Sequence, residues 1–122
     1  ISRDSSSGTF EAFNELALNK AKVTSAALLQ ASNQAVVSIT AQTPGAIGYI
    51  GMGYISSSVK VVEVDGVNPS VKTVMNKQYP LSRPLFMYTN GKPKGLTKTF
   101  LDFILSDEGQ KIVEEYGFVK MR

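Results

Sequence analysis

Short runs of β-branched residues alternate with amphipathic helical segments along this chain, and that alternation constrains its fold more than any other feature. Helical spacing is clearest from Thr9 onward, where Phe10, Phe13 and Ala17 recur at three- and four-residue intervals. The clearest strand-like run is Val59–Val64, which an Asp-Gly turn closes. Strands that alternate with helices are typical of layered α/β proteins. We therefore predict an α/β fold, a layered sandwich with a central mixed sheet flanked by helices.

Other segments predict further elements in the same alternating order. A short strand is expected within the first eight residues, and residues 33–42 fit a helix and a strand equally well. The remaining predictions are a helix around Ser25–Gln30, a buried strand and glycine-rich turn over 45–54, a helix begun by Asn68-Pro69, a strand at Arg83–Tyr88, and helices from Leu96 and after the cap Ser106-Asp107-Glu108.

Composition excludes several classes of protein. The chain has 122 residues, which predicts a single domain over 1–122. It has neither Cys nor His, so disulfides, thiolate or imidazole metal sites and Ser–His chemistry are excluded. The net charge of +3 is spread without clusters, which argues against nucleic acid as a partner. Its apolar runs are shorter than the roughly 20 residues of a membrane span. We expect no metal, no cofactor and no catalytic residue.

The segment from Arg3 to Phe10 carries the most chemistry. A hydroxyl-rich turn leads directly into a helix, whose first N–H groups lack intrahelical partners and lie at the positive end of the helix dipole. Gly8 lets an oxygen approach the backbone, and Ser7 and Thr9 can donate from their hydroxyls. Arg3 can add a forked guanidinium. These residues are compatible with an oxyanion site, although on local chemistry alone an ordinary helix cap at Ser7 is favoured, since caps far outnumber anion sites.

Four stretches in the same order resemble phosphate-binding proteins of the periplasmic-binding-protein type II fold. The first is the Arg-x-x-x-Ser-Gly-Thr pattern at Arg3, Ser7, Gly8 and Thr9, and the others are Thr43–Ile55, Tyr79–Asn90 and Phe100–Val119. In that family the Arg, Ser, Gly and Thr of the first pattern contact phosphate, and the resemblance gives that role to the matching residues here. Family members often carry an acid two residues after the Arg, where this chain has Ser5. Its acid is Asp4.

The resemblance implies a function and a set of partners. It implies that the chain binds inorganic phosphate as part of the extracytoplasmic solute-binding component of a phosphate ABC transporter, whose permease subunits are then partners. Residues 1–78 resemble the anion-binding lobe, and residues 79–122 resemble a return strand and C-terminal helices that pack toward a first lobe missing from this sequence. Without that lobe, the apolar faces of Leu96–Ile104 and Ile112–Phe118 are expected either to repack on this domain or to pair between copies of the chain.

Two alternative functions remain open from the residues alone. The first is a binding module for another oxyanion, such as sulfate or molybdate, because much of the discrimination lies outside this chain. The second is a phosphoester-hydrolysing enzyme with Ser7 as nucleophile. Lys20 and Lys22 lie well down the helix, so no base is close to Ser7 in sequence, and the enzyme is the less favoured alternative.

Overall fold

The computed structural model describes residues Ile1–Met121, and the chain divides after Ser82 into two compact units. The first unit spans Ile1–Ser82, and the second begins at Arg83. We describe each unit by itself, and the single domain over 1–122 stays a prediction. No helix among the described residues has both the length and the apolar character needed to cross a membrane.

The first unit contains two short strands and three α-helices joined by turns. In chain order they are β1 (Ser2–Arg3), α1 (Gly8–Leu16), β2 (Leu29–Gln30), α2 (Asn33–Gln42), a 3₁₀ turn (Met52–Tyr54) and α3 (Val71–Met75). The strand in the first eight residues and the helix after the Ser-rich turn are therefore confirmed. The ambiguous residues 33–42 form a helix, which begins with Ser32 accepting a hydrogen bond from the amide of Ala35.

The two strands pair in parallel and pack against α2. Ser2 lies opposite Leu29 and Arg3 opposite Gln30. The Ser2 amide donates to the Leu28 carbonyl at 2.9 Å, and the Asp4 amide donates to the Gln30 carbonyl at 3.3 Å. Val36 and Val37 of α2 are the buried apolar residues of this unit, 1% and 3% exposed. The small sheet thus fixes the position of the turn that follows Arg3.

The helix predicted around Ser25–Gln30 is wrong, because the end of that segment forms β2. The local Ala and Leu content favours a helix. The carbonyls of Leu28 and Gln30, however, accept the amides of β1 from residues far away in sequence. Tertiary pairing overrides local propensity here, as it commonly does for short segments.

The strands predicted over 45–54 and 59–64 are also absent from the structure. The first segment runs beside Ile1, whose N-terminal amine donates to the Ile47 carbonyl at 2.6 Å, but it forms no ladder. In the second, Val64 and Val67 exchange two backbone hydrogen bonds around Asp65-Gly66, so only the predicted turn is formed. A strand requires a partner along its length, and pattern alone does not supply one.

The second unit is a pair of helices preceded by an extended apolar segment. Its helices are α4 (Gly95–Ile104) and α5 (Asp107–Glu115), which contact each other. Ser106 caps α5 by accepting from the Gly109 amide, and Gly117 ends it at φ +79°, as predicted. The strand predicted at Arg83–Tyr88 is not formed, since residues 84–89 make no backbone–backbone hydrogen bond within the described chain.

The α/β class is nevertheless the right one, since helices and a parallel strand pair share the first unit. Helix α3 begins two residues later than the Asn68-Pro69 signal suggests, because its N-cap is Ser70 rather than Asn68. Ser70 and Thr73 form a reciprocal capping box there, each side chain bonding the other's backbone amide. Asn68 instead donates from its side chain to Glu63.

Candidate anion-binding site

Ser7 is the N-cap of α1. Its backbone is extended, with φ −81° and ψ 128°, and its Oγ accepts hydrogen bonds from the amides of Thr9 at 3.1 Å and Phe10 at 3.3 Å. The residue is 8% exposed, so this end of the helix is built into the unit rather than frayed. The capping interpretation of Ser7 is therefore confirmed. A hydroxyl that accepts two hydrogen bonds still has its own hydrogen to donate, so the cap leaves Ser7 able to contact an anion.

The turn between β1 and α1 is stabilised from within by Asp4. The Asp4 carboxylate accepts from the Ser6 amide at 3.1 Å and from the Ser6 hydroxyl, and the Asp4 carbonyl accepts from the Ser7 amide at 3.1 Å. The Ser6 hydroxyl is the main reason that the pKa of Asp4 lies below its usual value, and the positive charge of Arg3 is a minor one. Asp4 therefore braces the turn, and its hydrogen bonds go to Ser6 rather than to Arg3.

Arg3 is held by backbone carbonyls of the neighbouring strand. Its Nε donates to the Gln30 carbonyl at 3.2 Å, and one terminal nitrogen donates to the Ala31 carbonyl at 3.0 Å. A guanidinium has five N–H donors in a planar fork. These two contacts set the direction of the fork and leave its other donors for a ligand. Because the partners are neutral carbonyls, they orient the guanidinium without cancelling its charge.

Tyr49 links the strand that carries Arg3 to the helix that carries Ser7. Its hydroxyl lies 2.7 Å from the Ser2 Oγ and accepts the Arg3 amide at 3.1 Å. Its ring stacks on Phe13 of α1, with ring centroids 3.9 Å apart and planes within 7° of parallel. Tyr49 therefore packs between β1 and α1.

Gly48 explains why the glycine-rich segment can lie so close to α2. An added Cβ at this position would sit 2.8 Å from Val36 Cγ1 and 2.9 Å from Thr40 Oγ1, which is closer than real Cβ atoms come. Gly48 therefore allows close packing of this segment on α2. Gly45 differs, because it is open to space and has a φ of +78°.

The start of α1 opens onto a shallow surface depression of about 490 Å³. It is lined at the helix start by Ser5, Ser6, Ser7, Gly8 and Phe10 and further along by Glu11, Asn14, Glu15 and Lys20, and Arg3 is not among the lining residues. Lys20 lies 3.7 Å from Glu15 in an exposed ion pair. Among residues 1–121, no group of three acidic side chains is placed so that it could hold a metal ion.

All four sequence-predicted site residues thus belong to one local structure, which consists of β1, the turn and the first residues of α1. Arg3 is the last residue of β1, Ser7 is the cap, and Gly8 and Thr9 open the helix. Sequence reasoning missed the residues that support them, namely Gln30, Ala31 and the hydroxyl of Tyr49. No local signal marks these residues, because they lie 27 to 46 positions away from Arg3.

The chain belongs to the PBP superfamily, whose domain matches residues 1–108. Its relatives include the phosphate-binding protein PstS 2 of Streptococcus agalactiae, 37% identical over 99% of this chain and 45% of the relative. The phosphate-binding protein PstS of Borreliella burgdorferi is 36% identical over 100% of this chain and 48% of the relative. The resemblance to phosphate-binding proteins is therefore confirmed.

A solved structure supports the same conclusion for the fold. The phosphate-binding protein of a phosphate ABC transporter from Streptococcus pneumoniae superimposes with a TM-score of 0.89 at 35% identity, over 100% of this chain and 51% of that one. The chain thus spans about half the length of the relatives that it matches. None of these three proteins is named as an enzyme, which agrees with the prediction that this chain is not one.

Proposed function

We propose that this chain binds inorganic phosphate at the start of α1, as part of the extracytoplasmic solute-binding component of a phosphate ABC transporter. The observation that carries the proposal is the placement of Arg3 and Ser7 at the two ends of one braced turn that leads into a helix N-terminus. The names of the relatives, which are phosphate-binding proteins, support phosphate as the ligand.

The donors are of the kinds that an oxyanion needs. Arg3 offers the N–H groups that do not bond Gln30 and Ala31, and Ser7 and Thr9 offer hydroxyl hydrogens. Gly8 has no Cβ to keep an oxygen away from the backbone. Hydrogen bonds to a charged group contribute about 1.5–3 kcal/mol each, so a few of them can hold a small anion. Arg3, Ser7, Gly8 and Thr9 are therefore the proposed ligand residues.

The proposal needs no cofactor and involves no chemical step. Its closest alternative is a site for another tetrahedral oxyanion, such as sulfate or molybdate. Asp4 bears on this choice, because its carboxylate accepts from Ser6 and lies in the same turn. Its acceptor sites that Ser6 does not use suit an anion that can donate a proton, which phosphate carries at neutral pH and sulfate does not.

The proposed partners follow from the length of the relatives, about twice that of this chain. We propose that a further lobe closes over the anion and that permease subunits receive it on the transporter. Burial of a ligand between two walls is what gives small-molecule sites their affinity. The chain by itself is therefore expected to bind phosphate weakly. Its exposed apolar side chains, which include Leu96 and Phe100, are proposed to contact that further lobe or a second copy of the chain.

The experiment is a calorimetric titration of the chain with phosphate and with sulfate, in parallel with two variants. Arg3→Ala removes the guanidinium and is expected to weaken phosphate binding at least about tenfold, the effect of losing one charge-assisted hydrogen bond. Lys60→Ala removes one positive charge from an exposed position elsewhere and is the matched control. Equal affinities for the two variants would mean that the site is not at Arg3.

A further inference from the structure

Tyr49 contacts both elements that carry the proposed site, β1 and α1, through three interactions. Its hydroxyl meets Ser2 and Arg3 on β1, and its ring meets Phe13 on α1. The proposed ligand residues lie on the same two elements. Arg3 is on β1, and Ser7 and the residues that follow it form the start of α1.

The hydroxyl of Tyr49 takes the place of a neighbouring strand. The amides of Ser2 and Asp4, on either side of Arg3, donate to the carbonyls of Leu28 and Gln30. Because successive amides of a strand point to opposite sides, the Arg3 amide points away from β2. At the edge of a sheet such an amide is left for solvent or for another chain. Here the Tyr49 oxygen accepts it at 3.1 Å, so Arg3 is fixed on both sides of the strand.

The hydroxyls of Ser2 and Tyr49 and the backbone of Arg3 form one hydrogen-bonded cluster. The Ser2 hydroxyl donates to the Arg3 carbonyl at 3.1 Å. In that arrangement the 2.7 Å contact between Ser2 and Tyr49 takes its hydrogen from Tyr49. Arg3 donates to Tyr49, Tyr49 to Ser2, and Ser2 back to Arg3. Every hydroxyl in this closed ring donates once and accepts once, and Ser2 is only 2% exposed.

From this geometry we propose that Tyr49 is a positioning residue for anion binding, an inference that rests on the proposed function. The ring of hydrogen bonds fixes the backbone of Arg3, from which its side chain reaches the carbonyls of Gln30 and Ala31. The stacked ring fixes the face of α1 whose first turn holds Ser7. A constellation of ligand groups requires alignment to within about 0.5 Å, which depends on such supporting contacts.

The test compares Tyr49→Phe with Tyr54→Phe in the whole chain. Tyr49→Phe keeps the ring stacked on Phe13 and removes only the hydroxyl. Tyr54 lies in the same glycine-rich segment, is 43% exposed, and its hydroxyl makes no hydrogen bond within the described residues, so it is the matched control. For each variant we would measure the dissociation constant for phosphate. We would also measure by NMR, without phosphate, the hydrogen-exchange rate of the Arg3 Nε–H.

We expect Tyr49→Phe to raise the dissociation constant about tenfold, because a misaligned guanidinium loses much of one charge-assisted hydrogen bond. We also expect faster exchange at the Arg3 Nε–H, while Tyr54→Phe changes neither quantity. If Tyr49→Phe lowers only the free energy of unfolding and leaves both readouts within twofold of the parent chain, Tyr49 is a structural residue and the proposal is wrong.

The exchange measurement separates this proposal from the one on which it rests. If the parent chain binds no phosphate but Tyr49→Phe still accelerates exchange at Arg3, phosphate as the ligand fails and the positioning of Arg3 by Tyr49 stands. If the parent chain binds phosphate and Tyr49→Phe leaves Arg3 exchange unchanged, the function stands and the positioning role fails.

Discussion

The two units of this chain differ in how their side chains are covered. In the first unit, Val36 and Val37 are buried, and so are the polar side chains of Ser2 and Ser7. In the described part of the second, the buried residues are Gly109 and Gln110, while Tyr88 is 90% exposed and Leu96 is 88% exposed. Large apolar side chains are exposed in both units, Ile47 of the first at 72% among them, but only the first unit also buries an apolar pair and a polar network.

The hydrogen bonds that position Arg3 and Ser7 can be described within the first unit. Every hydrogen bond that positions Arg3 and Ser7 comes from the first unit. The second unit is stabilised by the contact between its two helices and by Gln110, which donates to the Ile104 carbonyl at 2.9 Å and accepts the Met121 amide at 2.8 Å. Changes to these contacts should therefore lower the stability of the second unit.

The largest expected effect is that of Gly109→Ala. A Cβ at Gly109 would lie 2.2 Å from the Phe103 carbonyl oxygen and 2.6 Å from the Ile104 carbonyl oxygen. Backbone atoms cannot move aside as side-chain ends can, so α4 and α5 must separate, at a cost of about 3 kcal/mol. Urea unfolding followed by amide NMR signals measures this, with Lys111→Ala on the exposed face of α5 as the control.

The same spectra test whether the two units behave independently. In Gly109→Ala we expect the signals of 95–115 to be lost at lower urea concentration than those of 8–16. Loss of both sets at the same concentration, in this variant and in the parent chain, would contradict the separation and favour the single domain that the sequence predicts.

A smaller effect is expected within the first unit from Gly48→Ala. The new methyl group would press on the β-branched side chains of Val36 and Thr40, which are stiff, and we expect a loss of about 2 kcal/mol in the free energy of unfolding. Gly51→Ala is the matched control, because its Cβ would meet its nearest neighbours at 3.7 Å and its φ is −66°. Equal losses for the two variants would mean that α2 does not pack tightly on this segment.

The smallest expected effect on stability comes from two helix caps, one in each unit. Ser7→Ala and Ser106→Ala each remove a side-chain cap, and each should lower stability by about 1 kcal/mol. They should differ in phosphate binding, which Ser7→Ala weakens and Ser106→Ala leaves unchanged. Calorimetric titration of the two variants distinguishes them, and a similar loss of affinity in both would contradict the assignment of the site to the first unit.

Elements with local signals were predictable from the sequence, and elements that need distant partners were not. Ser7 marks the start of α1, Ser106 marks the start of α5, and Gly117 marks the end of α5. Each of these residues lies beside the helix whose boundary it sets. The strands predicted at 59–64 and 83–88 have the right residues but no strand to pair with among those described. A two-residue strand at Leu29–Gln30 has no pattern of its own, and β1 determines it.

The same division holds for the site. The four proposed ligand residues lie within seven consecutive positions, from Arg3 to Thr9, so their common location follows from the sequence. The carbonyls of Gln30 and Ala31 orient the Arg3 guanidinium, and the Tyr49 hydroxyl holds the Arg3 amide. Only folding brings these groups close to Arg3. The guanidinium of Arg3 is held by backbone carbonyls, a contact that side-chain identity does not reveal.

The most direct test of the central claim is an NMR titration of the backbone amides with phosphate, repeated with sulfate. The account predicts shifts centred on Ser7, Gly8, Thr9 and Phe10, with a weaker response to sulfate. The start of α5 serves as an internal control, because Ser106 caps it in the same way but Asp107 and Glu108 fill its first turn with negative charge. Shifts of equal size at both helix starts, or none at Ser7–Phe10 up to high millimolar phosphate, would contradict the claim that this turn is the anion site.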